Sequence, residues 1–188
     1  ISVLIDPEGR SISALKPDVL IDAILAKKNM GTHLEDAPVV IGVGPGFTAG
    51  VDCHAAIETQ RGHDLGRVLY EGSPLPNTGV PGNIGGVTSE RLIRSPADGI
   101  FSPTAAIGDL VNAGQVVAFI GDIPVIANID GILRGLLPAG TPVYKSMKSG
   151  DVDPRCHRRL CFSVSDKAHA IGGGVLEAIL NLSKCLSK

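Results

Sequence analysis

The sequence predicts an α/β protein: a parallel sheet domain interrupted by a smaller all-β insert. Three observations carry this. Short apolar runs alternate with helix-like stretches in the first 76 residues and again after residue 149, and a Gly/Pro-rich break follows the first of these regions. Between them an internal repeat spans Ile93–Val143.

In chain order, Val3–Ile5, Val19–Ile21 and Val39–Val43 read as strands, and Asp22–Lys28 and Val51–Thr59 as helices. That alternation describes βαβ units in a Rossmann-like domain over 1–76. Asn77-Thr78-Gly79-Val80-Pro81-Gly82-Asn83-Ile84-Gly85-Gly86 continues neither helix nor central strand, so 77–90 is expected to be a linker. The repeat maps Ile93 on Val125, Asp98-Gly99-Ile100 on Asp130-Gly131-Ile132, Gly108 on Gly140 and Val111 on Val143. Residues 149–188 return to the α/β domain, with a strand at Leu160–Val164. A helix then starts at Ser165-Asp166-Lys167 and carries an apolar stripe of Ile171, Val175, Leu176, Ile179 and Leu180.

Composition narrows the function classes. With 44% hydrophobic residues and a formal charge of −2, the chain has no electrostatic reason to bind nucleic acid or an anionic membrane, and no stretch is apolar enough for a span. Four cysteines without framework-like spacing point to a reducing, cytoplasmic compartment. The chain lacks an initiator Met and opens inside an apolar run, which is expected of a fragment. A homo-oligomer stays open.

The repeat, through "SPADGIF", "IGDLVNAGQVV" and "ANIDGIL", resembles the barrel-sandwich hybrid of biotinyl and lipoyl carrier domains over 91–148. A working carrier needs a lysine on the hairpin between its halves. Gly121-Asp122-Ile123-Pro124 stands there, and no lysine occurs between Lys28 and Lys145. Neither biotin nor lipoate is expected.

The chemistry-bearing stretch is "VVIGVGPGFTAGVDCHAAIET", Val39–Thr59. Gly44-Pro45-Gly46-Phe47-Thr48-Ala49 fits G-x-G-x-x-G/A after a buried strand, the setting of a loop that admits a phosphate to backbone N–H groups. Gly44, Gly46 and Thr48 are therefore expected ligand contacts. If a helix follows, His54 and Glu58 share its face, with Arg61 and His63 just beyond. Cys53, near that helix start, is the candidate nucleophile. Asp153 and Arg155 are expected to close the cavity from the polar "GDVDPR" loop. No metal is expected, because adjacent residues such as Cys53 and His54 chelate poorly and Cys156-His157 with Cys161 has no zinc spacing.

In order, "VVIGVGPGFTAGVDCHAAIETQRGHDLGR", "LPNTGVPGNIGG", "GDVDPR" and "SDKAHAIGGGVLEAIL" resemble the YqeB-type accessory proteins of the selenium-dependent molybdenum hydroxylase system. The resemblance implies a cytoplasmic bacterial maturation factor partnered with a molybdenum hydroxylase or its maturation machinery, and a further N-terminal Rossmann-like half. It fixes no catalytic residue. The ligand is open between a nucleotide and a molybdopterin-type molecule. Two alternatives stand beside it: a nucleotide- or pterin-dependent transferase using Cys53 or Cys161 for sulfur or selenium transfer, and a protein-binding adaptor.

Overall fold

The computed structural model describes residues 1–183 and divides the chain into two compact units: Ile1–Thr78 with the chain from Ser165 onward, and Gly79–Val164. Among the described residues no helix is long and apolar enough to cross a membrane.

The first unit is built on a four-stranded sheet of order β1 (Val19–Asp22), β2 (Val39–Val43), β3 (Ala55–Ile57), β4 (Val68–Leu69). The first three strands are parallel, pairing Val19 with Val39 and Ile41 with Ala55, and β4 is antiparallel to β3. Every residue of β2 is buried, as a central parallel strand requires. Its alternate side chains serve two faces. Val39, Ile41 and Val43 join Ala55 and Ile57 under the long helix, whereas Val40 joins Ala56, Phe47 and Cys53 on the other side.

A short helix, α1 (Arg10–Leu15), starts where the Asp6 carboxylate accepts the N–H groups of Arg10 and Ser11 at 2.9 and 2.7 Å. The long helix α2 (Asp166–Leu182) is capped by Ser165, whose Oγ accepts from the Ala168 N–H at 3.2 Å. It packs on the sheet through buried Ala178 and the half-buried Ile171, Val175, Ile179 and Leu182. The expected stripe included Leu176, which is instead 56% exposed. Gly174 explains how closely the helix approaches: a Cβ there would lie 2.1 Å from the Gly66 carbonyl oxygen.

Three expected elements of this unit do not form. Val3–Ile5 is not a strand; the segment is exposed and pairs with no strand among the described residues. Asp22–Lys28 is a loop rather than a helix, because Asp22 ends β1 by accepting the Ile24 N–H and the Thr32 hydroxyl, and Leu25 and Lys27 adopt left-handed backbone. Val51–Thr59 is not a helix either: a turn gives way to β3 at Ala55. Two adjacent parallel strands are thus joined by Gly44–His54 without a helix, an unusually short crossover.

The second unit holds eight strands: β5 (Leu92–Arg94), β6 (Gly99–Pro103), β7 (Leu110–Val111), β8 (Val116–Ile120), β9 (Ile123–Ile126), β10 (Gly131–Leu136), β11 (Pro142–Val143) and β12 (Lys148–Asp153). They form two four-stranded sheets, β5-β12-β10-β7 and β11-β6-β8-β9. The repeat offset carries β5 to β9, β6 to β10, β7 to β11 and β8 to β12, so each sheet is the other with its halves exchanged. Each sheet takes two strands from each half. The core between them is Ile93, Phe101, Val111, Val117, Ile120, Val125, Leu133, Val143 and Val152.

This unit runs past the expected boundaries on both sides. The segment 79–90 belongs to it, and Arg91 ties it down by donating to the Gly82 carbonyl at 3.3 Å and pairing with Asp151 on β12. β12, the image of β8, ends at Asp153 rather than 148, and Leu160–Val164 is not a strand. Both neighbours of β10 are already taken by β12 and β7, so the segment after β12 turns into a helical turn at Arg158–Cys161.

Candidate functional site

The carboxyl ends of β1, β2 and β3 meet at one edge of the first unit's sheet, since Asp22 pairs with Gly42 and Val43 with Ile57. Open parallel sheets bind ligands outside that edge. Asp22, the Gly44-Pro45-Gly46 turn and the Glu58–Arg61 segment therefore belong to one region, built by the backbone itself.

The glycines there serve packing. A Cβ on Gly42 would sit 2.3 Å from the Phe47 ring; a Cβ on Gly46 would sit 2.5 Å from the Lys28 backbone, and one on Gly44 3.0 Å from the Thr59 hydroxyl. Gly44, Gly46 and Gly50 have φ of 89°, 108° and 84°. A helix-less crossover has to lie close against the sheet and reverse sharply, and only glycine allows both.

The loop spends most of its donors on itself. The N–H groups of Gly44, Ala49 and Gly50 go to the carbonyls of Ile57, Gly72 and Cys53, and those of Val51 and Asp52 to Thr48. The Thr48 N–H donates to the Asp52 carboxylate at 2.9 Å and its hydroxyl bonds Ser73 at 2.9 Å. Pro45 has none to offer. Asp52 takes the Thr48 N–H and Ile57 that of Gly44, so of the expected contacts Gly44 and Thr48 do not present free backbone donors.

The expected cluster beyond the loop is dispersed by the same strand. On extended chain the four-residue step from His54 to Glu58 spans about 13 Å rather than one helical turn. His54 aligns with Val40, toward the amino end of β2, and its Nδ1 accepts the Val40 N–H at 3.0 Å. Cys53 is fully buried against Val40 and Phe47, and burial pushes its thiol above the ordinary cysteine value. No helix start is present to lower it. Glu58 is buried with both oxygens engaged: Oε1 accepts from Thr59 and Gln60 and Oε2 from Leu75, each at 2.7 Å. It clamps the loop. His63 is exposed beyond it.

Asp153 and Arg155 lie in the second unit. Asp153 is 1% exposed and accepts Arg155 Nε and Nη2 at 2.9 and 2.6 Å, with Arg134 3.5 Å away. The hydrogen bonds from Arg155 hold its carboxyl below the usual aspartate value.

Arg61 does stand at the carboxyl edge. Its guanidinium bonds Asp166, at the start of α2, through Nη1–Oδ2 at 2.6 Å and Nη2–Oδ1 at 2.8 Å. The structure adds two residues that the sequence analysis did not single out, Lys27 and Lys167. Lys167 is half-buried, and burial, followed by the charges of Lys27 and Arg61, lowers its ammonium below the ordinary lysine value while Glu58 acts in the opposite direction. Lys27 precedes Lys28, whose backbone packs on Gly46, and Lys167 follows Asp166, the partner of Arg61, so the three cations lie on the segments that form this edge. Lys27 follows a strand and Lys167 opens a helix far along the chain, so only the parallel topology brings them together. Among the described residues no group of His, Cys, Asp and Glu is arranged to hold a metal ion.

No family model matches the chain. Among solved structures, an aspartoacylase family protein from Mesorhizobium loti aligns with 34% of this chain and 23% of its own at 22% identity and a TM-score of 0.32. A succinylglutamate desuccinylase/aspartoacylase from Rhodobacter sphaeroides aligns with 34% and 22% at 23% identity and a TM-score of 0.28. In sequence, 182 residues, 97% of this chain, are 54% identical to the uncharacterized protein YqeB of Escherichia coli K12. The chain spans about a third, 34%, of that relative's length, and the similarity over nearly all its residues supports a YqeB-type protein.

Proposed function

We propose that this chain is the part of a maturation factor for selenium-dependent molybdenum hydroxylases that holds an anionic cofactor or nucleotide, acting in the cytoplasm beside the hydroxylase or its maturation machinery. The anion site is the carboxyl edge of the parallel strands in a Rossmann-like unit, and the second unit is a barrel-sandwich hybrid without carrier function. The observation that carries the reading is the convergence of Lys27, Arg61 and Lys167 on that edge. The client system rests on the resemblance of the long sequence strings. Recognition falls mainly to side-chain cations, because the glycine loop has spent most of its donors. Lys167 is the central contact: a half-buried ammonium among like charges is stabilised by an arriving anion. Arg61 reaches the same ligand or holds Asp166 in place.

The transferase alternative loses its main support. A sulfur or selenium nucleophile has to be an accessible thiolate, whereas Cys53 is fully buried and burial raises both its thiol and that of Cys161.

The test is a Lys27→Gln/Lys167→Gln double variant of the full-length protein in cells that depend on it for a selenium-dependent hydroxylase. Hydroxylase activity is expected to fall at least about tenfold while the variant stays folded, since losing two charge-assisted contacts costs upward of 1.4 kcal/mol. Undiminished activity with a folded variant contradicts the reading.

A further inference from the structure

The second unit carries a groove of about 500 Å³ of its own. Leu110, Val116 and Ile132 form its apolar wall, and Gln115, Cys156 and Arg158 contribute polar groups. The guanidinium of Arg158 lies over the Phe162 ring, 5.5 Å from its centre. Gly108 admits both: a Cβ there would meet the ring at 3.1 Å and Arg158 Nε at 3.2 Å. A ring on one side and bare backbone on the other hold the guanidinium in place.

Arg158 makes no ion pair among the described residues. Asp153 is committed to Arg155 and Arg134, and Asp109, at the groove wall, accepts the Ala106 N–H at 2.8 Å. Among the residues that line the groove Arg158 is the cation and Asp109 the carboxylate, and of the other basic residues on the Arg158 loop Arg155 is held by Asp153. A fixed guanidinium beside an apolar wall recognises an oxyanion carried on a small apolar body.

We propose that this groove binds a small organic anion, its phosphate or carboxylate group on Arg158 and its apolar part on Ile132 and Val116. The proposal does not depend on the reading of the first unit. Cys156 supplies the readout, because its exposed thiol lines the groove. On the intact chain, alkylation of Cys156 by iodoacetate and by iodoacetamide is followed by peptide mass spectrometry; in each case the sulfur–carbon bond forms as iodide leaves.

The anionic reagent is expected to be favoured over the neutral one by about tenfold more in the native chain than in Arg158→Gln, the low end of electrostatic rate enhancement. Inorganic phosphate or acetate is expected to slow iodoacetate at Cys156, and the stronger competitor identifies which oxyanion the groove prefers. Arg159→Gln removes an equal charge that does not line the groove and is expected to leave the preference in place. Equal ratios in the native chain and Arg158→Gln overturn the proposal. So do equal losses in the two variants, which indicate a general field, and so does the failure of both anions to compete.

Discussion

Gly46 shows at a single residue how the glycine-rich stretch works. Its φ of 108° and the Lys28 backbone 2.5 Å from any added Cβ leave no room for a side chain. Gly46→Ala is therefore expected to destabilise the first unit by about 2 kcal/mol, read as a lower thermal midpoint; an unchanged midpoint would mean that the crossover does not pack on that loop. Asp153 makes a second residue-level case. Its carboxyl ionises more readily folded than unfolded, so the unfolded chain binds more protons around and below the ordinary value of 3.8. Its contribution is complete above that range and is lost as pH falls through the lower folded value. Acid titration should show Asp153→Asn with a shallower loss of stability below pH 3.8 than the native chain; identical acid limbs would deny that the Arg155 contact stabilises the fold.

At the scale of elements, burial periodicity was legible and crossover geometry was not. Val19–Ile21, Val39–Val43 and the final helix were readable because apolar runs and a capped amphipathic pattern signal them directly. The stretch Val51–Thr59 looked helical because it follows a buried strand and a glycine loop in an alternating pattern, yet Ala55 and Ile57 face the helix while Ala56 faces the opposite side, the period of a strand. Three residues are too few to show that period in sequence. β12 was hidden differently: its partner under the repeat, Val116–Ile120, is apolar, whereas Lys148–Val152 is largely polar and keeps only Val152 in the place of Ile120. The repeat also predicts an effect at Ser95, which corresponds to Ala127. Ser95 is 2% exposed and its hydroxyl has no partner among the described residues. Ser95→Ala is expected to stabilise the second unit by about 1 kcal/mol by removing a buried unpaired hydroxyl. A loss of stability would show that this hydroxyl is satisfied.

Across the whole molecule, the candidate site was legible only in part. Arg61 was singled out as a cation just beyond an expected helix that is in fact β3, but its companions come from the loop after β1 and the start of α2, and no local spacing links Lys27 to Lys167. The residues that looked most chemical, Cys53 and Glu58, were taken up by the core and by loop clamping. If Lys27, Arg61 and Lys167 hold an anion at the carboxyl edge, native mass spectrometry of the full-length protein, purified without denaturation, should find a bound anionic species that is absent from folded Lys27→Gln/Lys167→Gln. An unliganded native protein, or a species retained undiminished by the variant, would refute an anion site there.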